Sequence, residues 1–304
     1  MLPTKKIVVG LDGSEIDETL ILFINYILRT SPLQKILFLN IVSGKEDLID
    51  GLDSVNPENI ELQKKHFQKQ VNNLITTGTT ATLKVDVLIG NHFSKMQATL
   101  LTEDIDIVVT GNKVNLKGDG SLNIKLARRA PCNIIVIPEG HQPELKKLLV
   151  PVDYSYQSAN ALNYALYVSK TTDYKVELVI QHVYEVKMGY SKTGKDYSEA
   201  AEVMKSNAEK QFKKWIKDFD IENVKINNEY SLNKTHDFGK LIKTTVESKQ
   251  INGIIIGSMG RTRWSSYFAG STAEDLIKAI HYLPLTIVRP KKSNIGVLAS
   301  IREF

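Results

Sequence analysis

Two tandem doubly wound parallel α/β domains are what this 304-residue chain predicts, and three observations predict them. A short apolar run ending in Asp occurs twice, as Lys5 to Asp12 and as Lys146 to Asp153. Each run opens the same series of strands and helices, which is the signature of an internal repeat. A glycine-containing segment then follows the fourth strand of each copy, where open α/β sheets bind ligands.

The elements follow in order. After the first strand a helical pattern places Leu20, Phe23, Ile24 and Ile27 on one face, echoed by Ala161, Leu162, Ala165, Leu166 and Val168. The second strands are Lys35 to Val42 and Lys175 to Val183, ending in Asn40-Ile41 and His182-Val183. Longer insertions, 43–78 and 184–221, carry helices over Ile60 to Leu74 and Glu199 to Phe219; Val203, Phe212, Trp215 and Ile216 read as the buried side of the latter. Third strands are Leu83 to Ile89, which alternates clearly, and the more polar Val224 to Tyr230. Fourth strands, Ile105 to Gly111 and Ile251 to Gly257, both stop at Gly; the fifth are Pro131 to Pro138 and Pro284 to Pro290. Strands alternating with helices require parallel sheets covered on both faces, joined by right-handed crossovers. The expected domains are 1–140 and 145–290, joined through Pro138-Glu139-Gly140-His141-Gln142-Pro143-Glu144, with a tail at 291–304.

Composition narrows the function. A hydrophobic fraction of 42% and a charged fraction of 24% describe an ordinary globular protein. The net charge of +5 is small, its lysines are dispersed among acids, and no helix-turn-helix, zinc-finger or basic-zipper pattern is present, which argues against nucleic acid. Cys132 is the single cysteine, excludes an internal disulfide, and reads as a small buried hydrophobe. The N-terminus lacks a signal-peptide core, and no apolar stretch approaches the ~20 residues of a membrane span. A soluble, cytoplasmic protein is expected.

In the second copy the segment after the fourth strand reads Gly257-Ser258-Met259-Gly260, nine residues, then Gly270-Ser271-Thr272 at the start of a helix over Ala273 to Ile280. Glycines at 257 and 260 permit close backbone approach and positive φ, so that amides converge on an anion. Gly270 admits a phosphate to the helix start, where unpaired N–H groups, the dipole and the Ser271 and Thr272 hydroxyls favour negative charge. A plain turn with a Ser cap is the structural alternative. Within the nine-residue span, Arg261 and Arg263 are candidates for terminal phosphates or solvated loop residues, and Trp264, Tyr267 and Phe268 cover a ligand or pack on a domain. Asp153 is either a ligand group or, with Ser155, a turn and helix start; His182, with no second metal ligand spaced near it, reads as structural.

This loop, the strand-ending Asp and the His-Val after the second strand resemble the universal stress protein family, through residue 290, as two units in tandem. The resemblance implies Rossmann-like, adenine nucleotide alpha hydrolase-like domains with five parallel strands each. It further implies that the last strands, Asn133 to Ile137 and Leu285 to Arg289, pair across a pseudo-twofold axis and seal two edges. In the family's ATP-binding branch the glycine loop holds phosphates and ribose, and the first two strand ends hold the adenine. Carried over, Pro151, Val152, Asp153, His182 and Val183 form the adenosine end, and Gly257, Gly260, Arg261, Gly270, Ser271 and Thr272 the phosphate end.

The first copy departs from that pattern. Val114 replaces the second glycine, and eight residues separate Gly111 from Gly120-Ser121. A shortened cradle loses phosphate contacts, so the site of Asp12, Gly13, Ile41, Gly111, Gly120 and Ser121 is expected to bind ATP weakly or not at all, with another small ligand as the alternative. The implied protein is an ATP-binding stress-response regulator (ATP, AMP or ADP, with or without Mg) with an unidentified signalling partner, an intramolecular pseudo-dimer and scope for a homodimer. A slow ATPase and a nucleotide-free interaction scaffold are the alternatives. The Walker loop and the Ser-Gly-Gly-x-Asp-Ser motif of ATP pyrophosphatases are both absent.

Overall fold

The computed structural model describes residues 5–113, 122–172, 175–258, 276–277 and 279–289. It divides into two compact units, Met1–Glu144 with Ile280–Phe304, and Leu145–Ala279.

In the first unit, β1 (Lys6–Leu11), α1 (Ile16–Leu28), β2 (Lys35–Val42), α2 (Pro57–Leu74), β3 (Thr82–Ile89), α3 (His92–Thr102), β4 (Ile107–Asn112), α4 (Leu122–Arg129) and β5 (Asn133–Pro138) succeed one another. The strands lie in the order β3-β2-β1-β4-β5, all parallel. The chain moves outward from β1 to β3 and then crosses back to β4, so its direction reverses between β1 and β4. Apolar side chains make this sheet: Ile7, Val8, Phe38, Val108 and Ile134 are wholly buried. β3 alternates as an edge strand should. α2 begins with Asn56 accepting from the Asn59 amide, followed by Pro57, and buries Gln63, Phe67 and Val71 at four-residue spacing. The segment after β5 is held to this unit, because the Gly140 amide donates to Thr19 Oγ1 at 3.1 Å.

The second unit repeats the scheme with β6 (Lys147–Val152), α5 (Tyr156–Thr171), β7 (Glu177–Tyr184), α6 (Tyr197–Trp215), β8 (Lys225–Leu232), α7 (Phe238–Lys249) and β9 (Gly253–Gly257). Its parallel order is β9-β6-β7-β8, reversing between β6 and β9. Asp196 and Glu199 form a capping box on α6, satisfying two otherwise orphaned amides. On α6 the expected apolar side is only partly buried: Phe212 is covered, Trp215 and Ile216 are intermediate, and Val203 is exposed. The helix is amphipathic, but its apolar stripe is narrower than the spacing suggests.

The last described strand, β10 (Leu285–Val288), belongs with the first unit and pairs antiparallel with β5, Leu285 opposite Val136 and Ile287 opposite Ile134. The pairing expected of residues 133–137 with 285–289 is therefore observed. Arg289 extends it, its amide donating to Asn133 Oδ1 at 2.8 Å and its guanidinium to the Ala127 carbonyl near the end of α4. The repeat in sequence and the units in space thus differ by one strand. Among the described residues, no helix is long and apolar enough to cross a membrane.

Because Ile287 is fully buried in β10, Ile287→Ala is expected to cost the fold about 2–5 kcal/mol. Urea denaturation followed by circular dichroism measures it.

Candidate functional site

The chain reversal between β6 and β9 leaves their carboxyl ends diverging, which is where a crevice forms in an open α/β sheet. The sequence sharpens this opening. Pro151 has no N–H to offer a neighbour, and the β6–β9 ladder stops at Leu149 opposite Ile254, although β6 continues beside β7 to Val152 opposite His182. Carried three residues further, the same register sets Gly257 level with Val152. Val152, Asp153, His182, Val183 and Gly257 thus come together at one end of one sheet.

Asp153 takes the turn role foreseen for it. Oδ1 accepts the Ser155 amide at 3.0 Å, forming a turn, and Ser155 in turn caps α5 by accepting the Ser158 amide. Among the described residues, Oδ2 has no partner. His182 Nδ1 lies 2.9 Å from the Val152 carbonyl oxygen, which can only accept. Nδ1 is therefore the donor, and the neutral ring keeps an acceptor at Nε2. Burial lowers the His182 pKa below its ordinary 6.5, against smaller opposing effects of the Val152 bond and the Asp153 charge.

Tyr154 is the site residue that the sequence reading missed. It holds φ +62°, in the left-handed region that a bulky residue rarely adopts. Its ring stacks on His182 with centroids 4.4 Å apart and meets Trp215 edge-on at 5.4 Å. Its hydroxyl donates to the Ala208 carbonyl of α6 at 3.1 Å. Alignment of Asp153-Tyr154-Ser155 with Asp12-Gly13-Ser14 contained the signal, since Tyr154 stands where the first copy has glycine at φ +81°.

Gly257 acts through close approach. A Cβ there would fall on the carbonyl of Gln157 in the first turn of α5, and its φ is not in the positive region. Its bareness is required for helix and strand to meet, a role the positive-φ argument did not contain. Gly260, Arg261, Gly270, Ser271 and Thr272, as well as Arg263, Trp264, Tyr267 and Phe268, lie outside the described residues.

In the first unit the corresponding end is filled by the chain's own groups. Asn40 stands opposite Leu11 and donates to its carbonyl at 3.0 Å, the same bond that His182 makes. Gln63, fully buried, donates to Asn40 Oδ1 at 2.7 Å and to the Asp47 carbonyl, and accepts the Ile49 amide. Asp12 Oδ1 accepts from the Ser14 amide and hydroxyl, while Oδ2 pairs with Lys113 Nζ at 2.6 Å across the reversal between β1 and β4. Ile41 is a core residue, and a Cβ on Gly111 would meet the side chain of Ile16. The Gly111 carbonyl accepts from Asn123 of α4 at 2.8 Å. Gly120 and Ser121 lie outside the described residues.

Fold and site together define a tandem α/β protein of the class that holds ligands at sheet reversal points. Residues 144–289, the second copy, match the model of the universal stress protein family. Solved structures are similar over the whole length. One is a universal stress protein from Archaeoglobus fulgidus DSM 4304, 16% identical, covering 95% of this chain and 97% of that one, with a TM-score of 0.62. Another is a functionally unknown protein from Pseudomonas aeruginosa PAO1, 13% identical, covering 98% of each chain, with a TM-score of 0.61. At these identities the likeness establishes the tandem fold. No curated protein sequence matches the chain.

Two expectations follow. Gly257→Ala should destabilise by about 1–3 kcal/mol, because backbone must move, whereas Gly111→Ala meets side-chain atoms of Ile16 and no backbone and should cost less. Chemical denaturation of both variants compares them. His182, with its pKa depressed on folding, contributes stability that is present above pH 6.5 and lost as pH falls through that value toward the folded pKa. His182→Asn, which can make the Asn40-type bond, should flatten the difference between melting temperatures at pH 7.5 and 5.5.

Proposed function

We propose that the second unit binds an adenine nucleotide, with ATP as its ligand and ADP or AMP held by the same adenosine contacts, and that the protein acts as a cytoplasmic stress-response regulator and not as a turnover enzyme. The observation that carries this reading is the acceptor set at the end of β6 and β7. Asp153 Oδ2 and the Val183 backbone carbonyl suit the amino group of an adenine, and the His182 ring, neutral and fixed in tautomer, lines the same end. Pro151 interrupts the ladder beside them, so a flat base has a place to enter between strands.

The same reading assigns the phosphates to Gly260, Gly270, Ser271 and Thr272, with Arg261 beside them, by the chemistry of glycine-spaced amides at a helix start. Magnesium, when it accompanies ATP, neutralises phosphate charge there. Asp12, by contrast, is already paired with Lys113, and the Asn40 end is closed by Gln63, which supports one principal nucleotide per chain.

Isothermal titration calorimetry of the full chain with ATP, ADP and AMP, each with Mg, tests the proposal. Expected is a stoichiometry near one, an affinity at least tenfold weaker in Asp153→Ala, about 1.4 kcal/mol or more, and an unchanged affinity in Asp12→Ala. Absence of heat with every adenine nucleotide at millimolar concentration would sink the assignment.

A further inference from the structure

Asp17 is a fully buried carboxylate for which neither the fold nor the nucleotide reading has a use. It sits in the first turn of α1 and reaches back to the turn that leaves β1. Its Oδ1 accepts the Asp12 amide at 3.0 Å and its Oδ2 the Gly13 amide at 2.8 Å. The two strand-end amides that would face an anionic ligand are therefore already occupied by an anion of the chain. At the same position in the second unit, five residues after the strand-ending Asp, stands Ser158, whose hydroxyl donates to the Ser155 carbonyl and accepts from the Ser155 hydroxyl.

The arrangement continues across the reversal. Asp12, whose amide Asp17 holds, extends its own carboxylate to Lys113, the residue after β4. Buried carboxylate, turn and ion pair form one series from α1 to the end of β4. The Asp12–Lys113 pair is half exposed and by itself worth little. Asp17 is the buried member and sets the geometry of the others. Among the described residues, β5 is apolar and buried, and α2 meets the turn at Gly13 through Phe67.

We propose that Asp17 is a proton-controlled latch on the first unit, whose carboxylate when ionised fixes the β1–α1 turn and through it the Asp12–Lys113 bridge, and which when protonated loosens both. Protonation turns one carboxyl oxygen into an O–H group, whose oxygen accepts the N–H it faces far more weakly than a carboxylate oxygen does, so one of the two amide bonds is weakened. Gly13 at φ +81° supplies the conformational freedom for the loosened turn. The protonation equilibrium falls in a useful range: burial above all pushes the Asp17 pKa up, the Asp12 charge adds to this, the two amides and Lys113 oppose it, and the result is about 7. Near neutral pH both states are populated. The first unit is thereby a self-liganded, pH-responsive unit, whether or not the second binds nucleotide.

Carbon-detected NMR of the Asp17 carboxyl, with the Gly13 amide and Lys113 side-chain resonances, tests this on the full chain between pH 4 and 9. Expected is a common midpoint within about one unit of pH 7, the width typical of such shifts. Asp12→Asn should lower that midpoint and Lys113→Met should raise it, in line with the charges removed. Asp17→Asn should abolish the Gly13 and Lys113 titrations near pH 7; the wild-type carboxyl titration stands by itself if that variant does not fold. A midpoint below pH 5, or an Asp17 titration that leaves Gly13 and Lys113 unmoved, overturns the proposal.

Discussion

The constraint on which the rest depends is the contact between the end of a fourth strand and the first turn of the helix after the first strand. At Gly257 that contact is with backbone, the Gln157 carbonyl, and at Gly111 with the side chain of Ile16. Only a residue without Cβ lets the strand run past the helix this closely. Once it does, the strand end, the turn after the first strand and the start of the helix share one small region, and the chain reversal keeps their backbone groups from being consumed by a sheet ladder. The crevice is a consequence of topology and one missing methyl group before it is a property of any ligand-binding side chain.

On that shared frame the two copies have diverged by a handful of substitutions at matched positions. Gly13 corresponds to Tyr154, Asp17 to Ser158, and Asn40 to His182. These exchanges lie in the turn after the first strand, in the first turn of the helix that follows, and near the carboxyl end of the second strand. The first copy has drawn its polar groups inward, with Asp17 on the turn amides, Gln63 on Asn40 and Lys113 on Asp12. The second has kept acceptors at the rim, on Asp153 and His182, and surrounds them with rings from Tyr154 and Trp215. Duplication without divergence would have produced two equivalent sites; the inward turn of the polar groups in one copy leaves it a different chemical task.

Much of this was legible in the sequence, for physical reasons. Runs such as Lys35 to Val42 are buried on both faces and so read as continuous apolar strands, and the structure bounds that strand at the same residues. The long helices announced themselves by spacing and caps. What stayed hidden was whatever depends on backbone conformation or on distant packing. The left-handed φ of Tyr154 has no signature in its own side chain, the burial of Asp17 contradicts the usual exposure of acids, and Val203 obeys helical period while facing outward. Trp215 read as core, yet it stands half-buried beside Tyr154 at the site. The repeat alone assigns β10 to the second copy by homology of position, and it was the family resemblance that named β5 as the neighbour with which it groups.

Tyr154 shows how a costly backbone is maintained. Left-handed φ at a bulky residue costs about 1–2 kcal/mol. An aromatic pair contributes roughly 0.5–1.5 kcal/mol beyond its buried area, and a hydroxyl-to-carbonyl bond about 0.5–1.5 kcal/mol. The stack on His182 and the bond to Ala208 therefore offset the strain without exceeding it by much. The two favourable contacts are made to different elements, β7 and α6, and both bear on the turn after β6. The β6–α5 turn is thus tied to the insertion that carries α6, whereas in the first copy Gly13 adopts the same region with no side chain at all and leaves control of the turn to Asp17. The two units have reached the same backbone bend by opposite means, one through aromatic contacts that tie the site rim to a helix above it, the other through a titratable group beneath it.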